Sequence, residues 1–225
     1  MNYLLHTFNP FRNTICNALG MQSAKINISD AQVGVISRSE ITTCINILNK
    51  SNEPVIIGGS YALSQFVTMN NLNCNYDDID IIMSNTDTEL FQFANNVAPQ
   101  YKSVYICKND NKNKYNINGQ IIGVKDINID VEEFDKKIIG TVNCVSNDGE
   151  KHQYVFVNES PENLCSWYAK TSDLPVFITK TGNNYVFELK SISAANDALS
   201  GVLSGVKHKY RIEKYQNKGF IVNSW

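Results

Sequence analysis

Residues 55–83 read VIIGGSYALSQFVTMNNLNCNYDDIDIIM, and this stretch decides the fold. Three consecutive apolar residues at 55–57 predict a strand that is buried on both faces. A GGS turn follows at 58–60, and the apolar spacing from 61 to 69 predicts an amphipathic helix after the turn. Acidic and apolar residues then alternate at 78–82, which predicts a second strand with one polar and one apolar face.

The second strand is predicted to carry two carboxylates on one face. Side chains two residues apart point the same way, so Asp78 and Asp80 share a face while the isoleucines beside them face the other side. Neighbouring carboxylates repel each other unless a proton or a cation lies between them. A hard divalent ion, Mg²⁺ or Mn²⁺, is the expected occupant, with its remaining ligands supplied by substrate phosphates and water. The alternative, and the commoner outcome for an isolated Asp-x-Asp, is a solvated strand face.

The GGS turn predicts a place for an anion. Glycines at the end of a strand let a phosphate approach the backbone closely, and the following helix has free N–H groups at its N-terminus. Gly58 and Gly59 therefore predict a phosphate-binding turn, with the Ser60 hydroxyl as a further hydrogen-bond donor. The alternative is a turn that binds nothing.

The order of these two motifs resembles the signature of the DNA polymerase β-like nucleotidyltransferase superfamily, as in a divergent or viral-type member. The spacer at 61–77 is longer than is usual in that family, which costs little in loop-closure entropy. The matching residues are Ile57, Gly59, Ser60, Asp78, Ile79, Asp80 and Ile81.

The resemblance implies both a fold and an activity. The implied fold is α/β (α+β), with a mixed twisted sheet of nucleotidyltransferase type, flanking helices and a C-terminal helical segment. The implied activity is transfer of a nucleoside monophosphate from a nucleoside triphosphate, such as ATP, to an acceptor hydroxyl. The acceptor stays open among RNA, a protein side chain and a small molecule.

The resemblance also implies a third carboxylate on a neighbouring strand, which would complete a two-metal site. The strand 151–157 is the natural neighbour, but it offers the neutral Gln153 where an acid is expected. Asp173 is the first choice for the third ligand, and Asp130 and Glu188 are the alternatives. With only two acids, the expected protein is a catalytically inactive module that binds nucleic acid or protein. A scaffold without a ligand is a weaker alternative.

Basic residues concentrate near the C-terminus. Lys209, Arg211 and Lys214 are candidates for binding the triphosphate or an RNA backbone, although most charged helix faces are simply solvated. His152 lies on the strand expected beside the site, where it is a candidate general base and more commonly a structural histidine.

Composition sets wider limits on the function. The 225-residue chain carries a net charge of −2, so it has no overall attraction to nucleic acid. Its six cysteines lack metal-ligand spacing, which predicts reduced thiols and no zinc site. No signal peptide or membrane-spanning run is visible, which predicts a cytoplasmic or otherwise intracellular protein without a membrane partner.

The remaining pattern predicts one domain over 1–225, with a lead-in at 1–36, a core at 37–190 and a helical C-terminal segment at 191–225. Serine and glutamate three residues apart predict a capping box and a helix over 37–48.

Several local signals add further elements. Acids at 86–89 predict another helix start, and 127–131 is strand-like. An Asn-Asp-Gly turn at 147–149 predicts a hairpin, and Pro161 predicts a helix start. Glycines at 201 and 205 predict a break in the C-terminal helices.

Overall fold

The computed structural model describes residues 35–36, 55–68, 72, 74–84, 90–109, 113–124, 137–181 and 184–224. Sequence predictions that lie outside these residues are the lead-in up to residue 34, the helix at 37–48, the helix start at 86–89, and the strand-like run at 127–131 with Asp130.

The described residues form both helices and strands. In chain order the strands are β1 (Val35–Ile36), β2 (Val55–Ile57), β3 (Ile79–Ser84), β4 (Ser103–Lys108), β5 (Asn113–Tyr115), β6 (Ile121–Val124), β7 (Ile138–Val145), β8 (Lys151–Val157), β9 (Val176–Thr181), β10 (Asn184–Leu189), β11 (Val202–Ser204) and β12 (Ile221–Asn223). The helices are α1 (Gly59–Thr68), α2 (Leu90–Val97), α3 (Pro161–Thr171), α4 (Ile192–Leu199) and α5 (Lys209–Asn217). The predicted mixture of helices and strands is therefore confirmed.

The chain divides into two compact units. The first unit contains Met1–Asn49, Gly58–Tyr76 and Ser172–Trp225, and the second contains Lys50–Ile57 and Asp77–Thr171. The chain crosses from the second unit to the first at the start of the GGS turn, and it returns just before Asp78. The organisation into a single domain stays a prediction.

The sheet of the second unit is mostly antiparallel. Its described strands follow the order β2-β3-β8-β7-β4-β5-β6, and among these neighbours only β3 and β8 run parallel. The predicted hairpin between β7 and β8 is confirmed: the Ser146 amide donates to the Glu150 carbonyl at 2.9 Å, and Gly149 has a φ of +95°. Glycine suits that left-handed turn position because it has no Cβ.

One face of this sheet packs against α2. The Phe93 ring lies edge-on to the rings of Tyr154 and Phe156, with centroids 4.9 and 5.1 Å away. Ile79 and Ile81 are fully buried on the same face, because Ile81 is paired with Tyr154. Burial of each such side chain stabilises the fold by about 1.5–3 kcal/mol. The alternation along β3 therefore fixes which face Asp80 occupies.

The first unit contains the antiparallel strands β1, β10 and β9 in that order, together with α1. Phe66 of α1 packs edge-on against Phe187 of β10, with ring centroids 5.5 Å apart. Tyr61 is buried and lies edge-on to Tyr76 at 4.8 Å. Both Tyr61 and Phe66 are thus core residues.

The predicted break in the C-terminal helices is confirmed, but a strand fills it. Gly201 has a φ of +78° directly after α4, and β11 follows. β11 pairs in parallel with β12, with Leu203 opposite Val222, and α5 forms the connection between the two strands. The sequence did not predict these strands, because three residues are too few to establish a period.

None of the helices formed by the described residues is both long enough and apolar enough to cross a bilayer.

Candidate functional site

The GGS turn begins α1 in the first unit with a backbone that favours glycine. Gly59 has a φ of +65°, a left-handed conformation in which a Cβ would be strained. The Ala62 amide donates to the Gly58 carbonyl at 3.3 Å, which closes the first turn of the helix. The regular intrahelical bonds of α1 therefore begin at the Ala62 amide.

Ser60 has an unusual environment in this turn. Its side chain is 2% exposed, and its hydroxyl has no hydrogen-bond partner among the described residues. A buried hydroxyl without a partner costs about 1–3 kcal/mol, so proteins rarely keep one without a reason. A ligand that accepts a hydrogen bond from Ser60 would remove that cost.

Asp80 occupies a central strand of the second unit. Its neighbours Ile79 and Ile81 are fully buried, while Asp80 is half-buried on the opposite face of β3. Asp78 is also half-buried and lies one residue before the strand begins. The predicted alternation of acidic and apolar residues is therefore present, with the isoleucines in the core.

The strand that leads into the GGS turn pairs with the strand that carries Asp80. β2 and β3 are antiparallel, and Ile57 is paired with Ile81, the residue that follows Asp80. Gly58 continues the chain directly from Ile57. The strand that precedes the GGS turn and the strand that carries Asp80 are thus neighbours within the second unit.

Gln153 lies next to Asp80 on the adjacent strand, which the sequence also predicts to be the neighbouring strand. β8 is the parallel neighbour of β3, and the register pairs Asp80 with Gln153. Paired residues on adjacent strands share a face of the sheet. The expected position of a third acid is therefore occupied by a neutral amide.

A hydrogen-bond chain holds the Gln153 amide in place. Its Nε2 donates to Asn143 Oδ1 at 2.8 Å, and Asn143 Nδ2 donates to Thr141 Oγ1 at 2.9 Å. Asn143 is paired with Gln153 in the β7–β8 register, so Asp80, Gln153 and Asn143 form one row across three strands. Sequence reasoning missed this row beyond Gln153, because period-two alternation does not identify cross-strand partners.

Asp173, the first choice for the third metal ligand, has a different partner in the first unit. Arg211 Nη1 donates to Asp173 Oδ2 at 2.9 Å, and the Asp173 side chain is 5% exposed. Arg211 Nε also donates to the Tyr210 hydroxyl at 2.9 Å. A guanidinium on this oxygen competes with a metal ion for it, and the ligand role of Asp173 stays a prediction.

The other candidate residues are dispersed. Glu188 is exposed on β10 and accepts a hydrogen bond from Thr179 Oγ1 at 3.4 Å. Lys209 is almost fully exposed, and its ammonium lies 3.9 Å from Glu213 one helical turn away. Lys214 is half-buried on α5. Of the predicted site residues in the first unit, the structure pairs Asp173 with Arg211.

His152 belongs to a buried hydrogen-bonded chain on the far side of the sheet from Asp80. Its Nε2 lies 2.8 Å from Glu150 Oε2, its Nδ1 lies 2.9 Å from the Tyr101 hydroxyl, and that hydroxyl lies 2.6 Å from the Tyr154 hydroxyl. A carboxylate can only accept, so Nε2 carries the proton that faces Glu150. His152 therefore stabilises the α2 side of the second unit and does not face Asp80.

The described residues contain no group of three His, Cys, Asp or Glu side chains that could hold a metal ion. Asp78 and Asp80 nevertheless offer hard carboxylate oxygens of the kind that Mg²⁺ and Mn²⁺ take, and the amide of Gln153 adds a neutral oxygen on the same face as Asp80. The chemistry of these donor groups is of the kind that a divalent ion takes when its remaining ligands are a substrate and water.

Comparison with known proteins does not place the chain in a family. No protein-family model, no curated protein and no solved structure matches it. The class that the structure itself defines is an α+β protein with a large, mostly antiparallel sheet in its second unit.

Proposed function

We propose that this protein is a metal-dependent nucleotidyltransferase with the sheet type of the DNA polymerase β-like superfamily. In this proposal Asp78 and Asp80 hold Mg²⁺ or Mn²⁺, and Gly58, Gly59 and Ser60 bind phosphate oxygens of a nucleoside triphosphate such as ATP. An intracellular location is part of the proposal, since nucleoside triphosphates and reduced thiols are found together there.

The register of β2 on β3 is the observation that carries the proposal. Ile57, the last residue before the glycine turn, is paired with Ile81, the residue after Asp80. An isolated Asp-x-Asp or an isolated GGS turn would be weak evidence. Two neighbouring strands, one leading into a left-handed glycine and the other carrying a half-buried acid, are more restrictive.

The chemistry proposed is an in-line displacement. The oxygen of the acceptor hydroxyl attacks the α-phosphorus, the bond between the α-phosphorus and its bridging oxygen breaks, and pyrophosphate leaves. A bound divalent ion would supply charge neutralisation on the phosphates. Asp78 and Asp80 would hold that ion, and the Ser60 hydroxyl donates a hydrogen bond to a phosphate oxygen. Gln153 cannot accept the hydroxyl proton, so this proton passes to one of the two carboxylates or to water.

Calorimetric titration with ATP and GTP, with and without MgCl₂, tests the binding part of the proposal. Wild-type protein is expected to bind at least one nucleotide only when the ion is present. The Asp78→Asn/Asp80→Asn double variant is expected to lose this magnesium-dependent binding. Asp77→Asn is the control for the loss of a negative charge next to the motif, because Asp77 is an exposed acid that adjoins it. Equal binding by the wild type and the double variant would exclude the metal site.

A second function has its own supporting observation. Gln153 occupies the position opposite Asp80 and is hydrogen-bonded to Asn143, so the site has two acids where the resemblance implies three. A module that binds a nucleotide or another partner without transferring a nucleotide fits that composition. Incubation with α-labelled nucleoside triphosphates separates the two functions. Incorporation of label into an acceptor supports the transferase, and magnesium-dependent binding without incorporation supports the inactive module.

A further inference from the structure

Positive charge is concentrated in one part of the first unit. Residues 190–218 contain six basic and two acidic side chains, a net charge of +4, whereas the whole chain carries −2 and the remainder therefore carries −6. Such a strongly asymmetric distribution predicts a polyanionic partner for the basic part. The overall net charge conceals this local excess.

Basic residues recur along α5 and at its C-terminal cap. Arg211 and Lys214 are spaced at i and i+3 on α5, and Lys218, at i+7, is the residue that caps the helix. These three residues are called the cationic stripe. Lys209 and Glu213 lie on a different side and face each other. The ammonium of Lys218 also donates a hydrogen bond to the Asn75 carbonyl.

At the start of this stripe, basic side chains lie near one buried carboxylate, that of Asp173. Arg211 binds Asp173 at 2.9 Å, and the ammonium of Lys190 donates to the carbonyl of Ser172. Desolvation lowers the pKa of Lys190, the carboxylate of Asp173 raises it, and the charge of Lys207 lowers it. Arg211 and Lys190 are therefore two cations near one carboxylate, which leaves an excess of positive charge.

Aromatic rings lie within the same surface. Tyr210 is 41% exposed, its ring is 5.9 Å from the His208 ring with the two planes tilted by only 33°, and the Arg211 guanidinium lies 5.7 Å from its centroid. An exposed ring beside cations offers a face on which an unpaired base can stack. A duplex hides its base faces, so this arrangement favours a single strand.

From this juxtaposition we infer that the first unit binds single-stranded nucleic acid on a basic aromatic surface. Phosphates contact the cationic stripe, and a base stacks on Tyr210. On the proposed function, on which this last step rests, the bound strand is the acceptor and its terminal hydroxyl receives the nucleotide. The surface consists of Lys207, His208, Tyr210, Arg211, Lys214 and Lys218.

Fluorescence anisotropy with the full chain tests the surface. The probes are labelled single-stranded RNA and DNA oligonucleotides of about 16 nucleotides and a duplex of the same length. The buffer contains EDTA and no nucleoside triphosphate, so the result does not depend on the metal site. Both single strands are expected to bind more tightly than the duplex. A difference in affinity between the RNA and the DNA strand would show that the 2′-hydroxyl contributes to binding. The affinity should fall steeply between about 50 and 200 mM salt.

Three variants assign the binding to this surface. Lys214→Gln/Lys218→Gln should reduce the slope of log affinity against log salt by about 1.4, because each phosphate contact on a single strand contributes about 0.7. Tyr210→Ala should weaken binding about fivefold or more at constant salt and leave the slope unchanged, because it removes the stacking ring and keeps every cation of the surface. Lys151→Gln/Lys170→Gln, which changes two exposed lysines outside this surface, is the charge-matched control and should behave as the wild type.

Several outcomes would overturn the inference. These are an absence of binding to either single strand at low salt, tighter binding to the duplex, or an unchanged salt slope in the Lys214→Gln/Lys218→Gln variant. Binding to vesicles with acidic lipid headgroups, without binding to either oligonucleotide, would identify a membrane surface as the partner instead. If single strands bind to this surface but nucleotides show no magnesium-dependent binding, the inferred surface stands and the proposed transferase activity is excluded.

Discussion

Replacement of Gln153 by glutamate tests the electrostatics of the row that contains Asp80. Gln153→Glu would place a second carboxylate beside Asp80, because the two positions are paired on adjacent parallel strands. It would also remove the amide donor to Asn143. Without a metal ion the variant should be less stable than the wild type. With a divalent ion the added carboxylate becomes a ligand, and the loss of stability should shrink.

The magnitude follows from the spacing of the strands. Two unit charges on strands roughly 5 Å apart repel by about 3 kcal/mol at an effective dielectric constant of about 20. Asp80 is half-exposed, and solvent screening reduces this repulsion to about 1 kcal/mol. The lost hydrogen bond adds about 1 kcal/mol. If the variant binds Mg²⁺ with a dissociation constant of about 1 mM, about 10 mM MgCl₂ would raise its free energy of unfolding by about 1.4 kcal/mol.

Urea unfolding followed by circular dichroism measures these differences. Gln153→Met is the matched control, because it removes the hydrogen bond at similar volume without adding charge. Potassium chloride at equal ionic strength separates metal binding from screening. The reasoning fails if the glutamate variant is as stable as the methionine variant without metal, or if magnesium and potassium stabilise it equally.

Three further changes test the packing, the buried chain and the charge cluster. Gly140→Ala should lower the free energy of unfolding by about 1–3 kcal/mol, because its Cβ would lie 2.6 Å from the Cys107 carbonyl oxygen. Gly123→Ala, whose nearest neighbour would be 3.9 Å away, should change urea stability little, and equal effects of the two would contradict this packing. Tyr101→Phe should cost about 1–3 kcal/mol in thermal unfolding, since it removes the hydroxyl 2.9 Å from His152 Nδ1 and leaves a buried ring nitrogen without its partner. An unchanged melting temperature would show that this hydroxyl contributes nothing. The lowered pKa of Lys190 means that the folded state binds this proton less tightly than the unfolded state does. The charged side chain therefore lowers the stability of the folded state slightly at neutral pH, and this cost disappears as pH rises towards the ordinary pKa of 10.5. The stability of the wild type relative to Lys190→Met should therefore rise between neutral pH and about pH 10, and a fall would give the wrong sign.

Local patterns predicted the elements around the GGS turn. Consecutive apolar residues gave β2, the glycines gave the start of α1, and the alternation at 78–82 gave β3. The Asn-Asp-Gly turn predicted the β7–β8 hairpin. Each of these signals lies within one element or one tight turn, where periodicity and turn geometry act directly.

Side-chain partners distant in the sequence could not be predicted in the same way. Asp173 and Arg211 were given separate roles, yet they form one ion pair across 38 residues. Periodicity reports which face a residue occupies on its own element, and it does not report what lies opposite. The same limit applies to Asn143 and Thr141, which hold the Gln153 amide from a neighbouring strand.

The short strands β11 and β12 illustrate a second limit. Each has three residues, and their pairing depends on α5 turning the chain back between them. A sequence period cannot be measured over so few residues, so only the glycine break was visible.

The central claim is that Asp78 and Asp80 bind a divalent ion, and a titration of Mn²⁺ followed by electron paramagnetic resonance tests it most directly. The signal of free Mn²⁺ should decrease as wild-type protein is added without nucleotide, and also with the Asp77→Asn control. It should stay undiminished with Asp78→Asn/Asp80→Asn. Equal loss of the free Mn²⁺ signal with the wild type and the double variant, or no loss with either, would contradict the claim.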